Sequence, residues 1–318
     1  MKNIELNQQN INIAANLEVT DFDELTQKIQ EKVICEFCHT QISKNDTKSL
    51  NRIPSNVREL KNTDYLVLKC PNCCSIHSLT SVNLDEIYQN YPIQKQKMDF
   101  FTRQLFRKRL NLLKKAGLTK NVSILDYGCG SGLFVKYLNE HGYVASGFDP
   151  YSNTYQDKSI LSQKYDWIIS QDVIEHLTDP NDFLKNIQIL LHPHGTLVIG
   201  TPNADRINLF NKIDQVGPLH QPFHRHIYSE KQIKLALAEA ELSVHSVHLD
   251  WYVDTLFPFV NSAFLYRLFL SGDGTIERGF EPVSILDFIK NPKLIFYGLF
   301  GYFYSRKTDM LIFAKKMS

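Results

Sequence analysis

Past Gly117 the chain alternates short apolar runs with stretches whose apolar residues recur at helical spacing. Strands are predicted over Val122–Tyr127, Tyr143–Phe148, Trp167–Ser170, Thr196–Gly200, Ser243–Trp251 and Met310–Lys315. Helices are predicted over Leu133–His141, Asn181–Leu191 and Glu230–Glu241. Strand and helix in turn imply an α/β fold with a Rossmann-like, doubly wound sheet, here expected to have seven strands. Upstream, Phe100, Phe101, Leu105, Phe106, Leu110, Leu112 and Leu113 mark a helix between Gln94 and Gly117, with lysines and arginines on what reads as its solvated side. Residues 21–34 predict a short helix, and Tyr65–Lys69 a strand. The pattern divides the chain into an N-terminal module (1–92), a connecting helix (93–118) and a larger α/β domain (119–318).

Cysteine spacing changes the picture of the first module. Two C-x-x-C pairs, Cys35/Cys38 and Cys70/Cys73, have the spacing of two zinc knuckles that together complete one tetrahedral site of four thiolates. That makes a small zinc-ribbon-like module with structural Zn²⁺; reduced, non-ligating thiols are the alternative. Cys74 is a spare neighbour, and Cys129 reads as a packed small residue.

Composition excludes little. Thirty-five basic against thirty-four acidic residues leave a formal charge of +1, so no global field draws nucleic acid or anionic lipid. No basic segment followed by an apolar run opens the chain, and the longest apolar stretch, Thr255–Leu270, is interrupted by Asn261, Ser262 and Arg267. The expectation is a cytoplasmic protein, with peripheral membrane contact left open.

The candidate cofactor site begins where the first strand of the domain runs into Asp126-Tyr-Gly128-Cys-Gly130-Ser-Gly132 and a helix N-terminus. Glycines let the backbone approach a ligand, and the free N–H groups attract an anion. A dinucleotide fingerprint would need its third glycine at Leu133. Asp126 would oppose a pyrophosphate but suits a ligand carrying ammonium and sulfonium groups. Asp149, at the end of the next strand, stands where a carboxylate can take both ribose hydroxyls. Further on come Val173-Ile-Glu-His-Leu-Thr-Asp-Pro180 and His194-Gly-Thr-Leu-Val-Ile-Gly-Thr-Pro-Asn203.

On these three ordered motifs the chain resembles the class I S-adenosylmethionine-dependent methyltransferases over roughly residues 120–250. The resemblance implies that Asp126, Gly128, Gly130 and Gly132 hold the methionine end, that Asp149 takes the ribose, and that Gln171 and Asp172 lie along the cofactor. It implies methyl transfer to a small-molecule acceptor (a sugar, lipid-linked or other biosynthetic intermediate, hydrophobic acceptors included), as O-methylation. RNA or protein modification, with the cysteine module binding the substrate, is the alternative; nucleic acid is disfavoured because the module lacks clustered bases and a stacking platform. Only residues 150–164 separate Asp149 from Tyr165, so the usual second helix and third strand are abbreviated. A cysteine module ahead of the domain, joined by paired tyrosines (here Tyr88 and Tyr91), is similar to a recurring subgroup of these enzymes.

His176 lies in the Glu175-His176 pair, and His220, His224 and His226 lie in a stretch resembling one that many of these enzymes carry after strand five. His176, His224 and His226 are the candidate catalytic bases; loop-ordering histidines, or a divalent cation on Glu175-His176, are the other readings. Finally, residues 252–308 form an aromatic-rich helical insertion before the last strand. It packs as core or caps the acceptor pocket with an apolar wall.

Overall fold

A computed structural model describes residues 32–43, 49–80, 82, 88, 96–249 and 253–317. Strands β1 (Lys32–Ile34) and β2 (Gln41–Ser43) pair antiparallel and carry the first cysteine knuckle between them. The helix expected over 21–34 is therefore a strand at its C-terminal end, where Val33 and Ile34 are β-branched; the remainder lies outside the described residues. Strands β3 (Leu50–Pro54), β4 (Asp64–Lys69) and β5 (Ile76–Ser78) form an antiparallel meander with the second knuckle in the β4–β5 turn.

Helix α1 (Phe100–Lys115) follows, capped by the Asp99 carboxylate, which accepts a hydrogen bond from the Thr102 N–H. Then come β6 (Ser123–Tyr127), α2 (Leu133–Glu140), β7 (Val144–Phe148), β8 (Tyr165–Gln171), α3 (Pro180–Leu190) and β9 (Leu191–Pro202). After α4 (Lys212–Val216), β10 (His226–Ile227), α5 (Glu230–Glu239) and β11 (Leu242–His248), the insertion supplies α6 (Ser262–Ser271), α7 (Ile285–Lys290) and α8 (Lys293–Phe300). Strand β12 (Asp309–Lys316) ends the fold.

The central sheet runs β11-β12-β9-β8-β6-β7, with β6, β7, β8 and β9 parallel and β12 antiparallel to both its neighbours. Six strands are described where seven were expected. Between β7 and β8 the short connection forms only a 3-10 turn, Lys158–Ser162, and has no length left for a crossover helix and strand. Both faces are covered, which is why the strands read as unbroken apolar runs. Leu125, Ile168, Leu197 and Ile199 pack with Leu184, Ile187 and Leu237 of α3 and α5. Ile124, Trp167, Ile169 and Val198 point the other way, onto Phe106, Leu113, Phe134 and Leu138 of α1 and α2.

The cysteine module is not hung on a linker. Strand β10 adds to the edge of β5, pairing His226 with His77, so the meander becomes a four-stranded sheet shared by both parts of the chain. Ile53, Val67 and Ile76 share one core with Ala204, Ile207, Leu209, Leu219 and Ile227. Lys69 reaches across to donate to the carbonyls of Ala204 and Ile207, 2.6 and 2.7 Å away.

The insertion closes the same seam. The Ile276 N–H donates to the Asn56 carbonyl at 2.8 Å, and Tyr266 and Phe269 of α6 pack on Val216. Phe264 and Phe269 are buried, whereas Phe257 is partly exposed and touches Phe100 at a ring separation of 5.0 Å. Phe269→Ala should accordingly lower unfolding stability by about 3–5 kcal/mol in denaturant titrations, and Phe257→Ala by much less.

Candidate functional site

The glycine turn hangs from the C-terminal ends of the parallel strands, where open α/β sheets bind ligands. All three glycines hold positive φ, +80° at Gly128 and +73° at Gly132. A Cβ at Gly128 would meet Val173 at 2.2 Å, and one at Gly132 would meet the Tyr155 ring at 2.0 Å, so larger residues are shut out twice, by strain and by space.

Asp149 is fixed at the neighbouring strand end: one carboxylate oxygen accepts from the Gly130 N–H at 2.9 Å, the other from the Tyr151 N–H at 2.8 Å. Each oxygen keeps a further lone pair for a ligand hydroxyl. Asp126 is buried beneath the turn. Burial raises its pKa, and the Arg109 guanidinium, 3.6 Å away, works against that rise.

Arg109 was not among the residues expected here. It was assigned to the solvated side of α1, yet it is buried with its guanidinium 4.1 Å from the centre of the Phe134 ring. Its helical position, three residues after Phe106 and four before Leu113, already placed it on the inward face. A buried cation beside Asp126 gives this pocket both signs of charge, as a ligand with an ammonium and a carboxylate requires.

Gln171 and Asp172 sit as expected at the end of β8, but the Gln171 side chain lies across Gly200 of β9 and bonds to Asp172 at 3.3 Å. Asp172, at φ +55°, lies near enough to Glu175 in the second half of the site to add to burial in raising its carboxyl pKa. There the 3-10 turn Ile174–His176 puts Glu175 and His176 against the loop that carries His220 and His224. The ring centres of His176 and His224 are 4.8 Å apart, those of His220 and His224 5.1 Å.

The hydrogen bonds orient this cluster. His224 Nδ1 donates to the Pro218 carbonyl at 2.7 Å and His220 Nδ1 to the Asn56 side-chain oxygen at 2.7 Å, leaving both Nε2 atoms as acceptors. Glu175 Oε2 accepts from Thr201 at 3.0 Å, while Glu175 Oε1 and His176 Nδ1 are buried without a hydrogen-bond partner among the described residues. Glu175, His176 and His224 each turn one ligand atom toward a common point, all within 4.8 Å of one another. Burial, reinforced by Asp172, pushes the Glu175 carboxyl well above the usual range. Burial likewise lowers all three histidines, His224 to about 4, so their rings are neutral at pH 7. Two buried polar atoms without partners are costly unless a ligand meets them. Tyr88 links the two halves, its ring stacked on Tyr151 at 4.4 Å and edge-on to His176 at 6.1 Å.

His226 is placed elsewhere. Its Nδ1 lies 3.1 Å from His77 Nδ1, whose Nε2 is 3.3 Å from the Cys35 sulfur. Of the three expected bases, His176 and His224 come together, whereas His226 groups with Glu36 and His77 beside the cysteine cluster.

In that cluster the sulfurs of Cys35 and Cys73 are 3.6 Å apart and those of Cys38 and Cys70 3.5 Å. A tetrahedron of thiolates around zinc has sulfur separations of about 3.8 Å, so the four residues fit the ion. Burial raises the Cys35 thiol and lifts Cys73 to about 11, whereas at Cys38 burial is outweighed by hydrogen bonds, which lower it to about 6; a cation would hold the buried Cys35 and Cys73 as thiolates. Cys74 stays outside the group of four.

A family model described as a methyltransferase domain matches residues 96–247. The ubiquinone biosynthesis O-methyltransferase of Coxiella burnetii (strain Dugway 5J108-111) is 29% identical over 118 residues, covering 30% of this chain and 50% of that protein. The protein of the same name from Bradyrhizobium diazoefficiens is 30% identical over 102 residues, covering 26% and 40%. The chain thus spans about half the length, or less, of the curated relatives it matches. Among solved structures, the Burkholderia thailandensis 1,6-didemethyltoxoflavin-N1-methyltransferase with bound S-adenosylhomocysteine has 13% identity and a TM-score of 0.42, covering 80% of this chain and 96% of that one.

Proposed function

We propose that this chain, whose residues 96–247 match a methyltransferase-domain family model, uses S-adenosylmethionine to move a methyl group onto the hydroxyl oxygen of a small molecule held beside Glu175, His176 and His224. The observation that carries this reading is the two-part pocket. A glycine turn flanked by Asp126, Arg109 and Asp149 is joined, through Val173 beside Gly128 and Tyr88 between Tyr151 and His176, to a buried cluster of neutral histidines.

When bound, S-adenosylmethionine supplies an already activated methyl group on a cationic sulfur. The protein therefore has to align, exclude water and manage one proton. Asp126 would hold the ammonium of the methionine end, Arg109 its carboxylate, and Asp149 the two ribose hydroxyls. His224 Nε2, whose opposite nitrogen is fixed on the Pro218 carbonyl, accepts the proton that the acceptor hydroxyl gives up. An imidazole pushed down to about 4 is a weak base, which favours acceptors with a comparatively acidic hydroxyl, phenolic rather than aliphatic. The curated relatives are named as O-methyltransferases, which supports oxygen as the acceptor atom. The four cysteines would hold a structural zinc that fixes the module sharing β10 with the domain.

A second reading is favoured by the same cluster: Glu175, His176 and His224 supply the three ligands of a divalent cation that would bind the acceptor oxygens. Elemental analysis of wild type and His176→Ala separates the two: a second metal per chain that the variant loses fills this cluster, whereas no second metal, or one that the variant keeps because Glu36, His77 and His226 hold it, leaves the cluster to proton transfer. The substrate itself is tested by supplying methyl-labelled S-adenosylmethionine with catechol-like and sugar-nucleotide acceptors and following label by mass spectrometry. Label on a phenolic oxygen supports the proposal, and label confined to RNA or protein would overturn it.

A further inference from the structure

One face of the insertion is out of keeping with a protein surrounded by water. Helix α7 is tethered by Phe288, which packs on Phe259 at a ring separation of 5.8 Å, and buries none of its residues completely. Its other side presents Ile285, Leu286 and Ile289, 78, 62 and 68% exposed. Helix α8 is anchored through Leu294 and Gly298 and turns Phe296 and Phe300 outward, and the following 3-10 turn adds Phe303 at 72%. Scattered exposed apolar residues are ordinary; a run of them on two consecutive helices and a turn marks a contact surface.

Charge identifies the partner. From Pro282 to Thr308 the sequence has four cationic side chains, of which Arg306 is paired with the buried Asp214, and a single acid, Asp287. That acid is occupied, accepting from Arg278 at 2.7 Å and from the N–H of Ser284 at 2.7 Å. Lys290 and Lys293 are exposed at the junction of α7 and α8, beside the apolar residues. Aromatic and branched apolar side chains next to lysines are what a bilayer interface takes up, with rings at the headgroup level and cations against lipid phosphates. A second copy of the same face would set lysines against lysines. With six and eight residues the two helices cannot cross a bilayer, and no described helix is long and apolar enough to do so.

We propose that the α7–α8 face docks this protein on an anionic membrane surface, lying in the interface without crossing it. The inference does not depend on the methyl-transfer reading and is tested without turnover. Metal-loaded protein is sedimented with vesicles of pure phosphatidylcholine or of phosphatidylcholine and phosphatidylglycerol in equal parts. Wild-type protein should bind the mixed vesicles, more weakly as salt rises, and bind phosphatidylcholine poorly. Lys290→Gln with Lys293→Gln should lower partitioning to the anionic vesicles by about 20-fold, and Ile289→Ser with Phe300→Ser should lower it on both kinds by roughly 10-fold or more. All four positions are exposed, so unchanged melting curves would show that these variants remain folded. Wild-type protein left in the supernatant with anionic vesicles overturns the proposal. So does variant protein that partitions like wild type, or concentration-dependent self-association through this face in place of vesicle binding.

Discussion

Stripped of metal by a chelator strong enough to compete with four thiolates, the protein should release one zinc per chain and melt at least about 10 °C lower. The size of the effect follows from where the cluster sits. Cys35 and Cys70 are fully buried, and the strands they anchor share a core and a sheet with the α/β domain through Ile53, Val67, Ile76 and β10. Thiolates held this close without a cation would repel one another, and burial already opposes ionisation of Cys35 and Cys73. Removing the ion therefore costs more than a loose peripheral knuckle would. Cys35→Ser should reproduce the loss, whereas Cys74→Ser, outside the cluster, should change stability by no more than about 1 kcal/mol. A chain that melts identically with and without chelator would refute the role of the cysteines.

The second large effect is kinetic. His224→Ala should reduce kcat by about 10²- to 10⁴-fold, the range for losing a positioned general base, while cofactor affinity stays near wild type. Its pH dependence is specific. A base must be unprotonated to act, and burial lowers His224 to about 4, below the ordinary histidine value. The rate should therefore stay level as pH falls through 6.5 and drop only toward about 4. A wild-type acid limb centred near 6.5 would instead point to an exposed histidine, and full turnover by the alanine variant would make the cluster structural.

Much of this was readable in the chain because it depends on local chemistry. The six described strands of the sheet fall where apolar runs and turn residues placed them, and the glycine turn is fixed by φ values that few other residues tolerate. The short span 150–164 points to an abbreviated second helix and third strand, yet a full seven-stranded sheet is expected from the pattern and six strands are described. What stayed hidden depends on contacts between distant segments. Arg109 was read as surface because its cationic neighbours on α1 outnumbered the one turned inward; its spacing from Phe106 and Leu113 held the answer. Among the histidines of residues 220–226, only the pairing of β10 with β5 shows that His224 turns to Glu175 while His226 turns to His77. The merging of the cysteine module, the domain and the insertion into one seam leaves no periodic signal, because each side of it is an ordinary apolar segment.

The central claim is that the pocket formed by Asp126, Arg109, Asp149 and the glycine turn holds S-adenosylmethionine. Calorimetric titration of the metal-loaded chain tests it most directly. S-adenosylmethionine and S-adenosylhomocysteine should each bind at one site per chain, and Asp149→Ala should weaken both by about 1.5–3 kcal/mol, the scale for a charge-assisted hydrogen-bonding group. Arg109→Ala should weaken both as well, through the shared carboxylate. Heat on addition of a nicotinamide dinucleotide and none with S-adenosylmethionine, or an Asp149→Ala variant with undiminished affinity, would contradict the account.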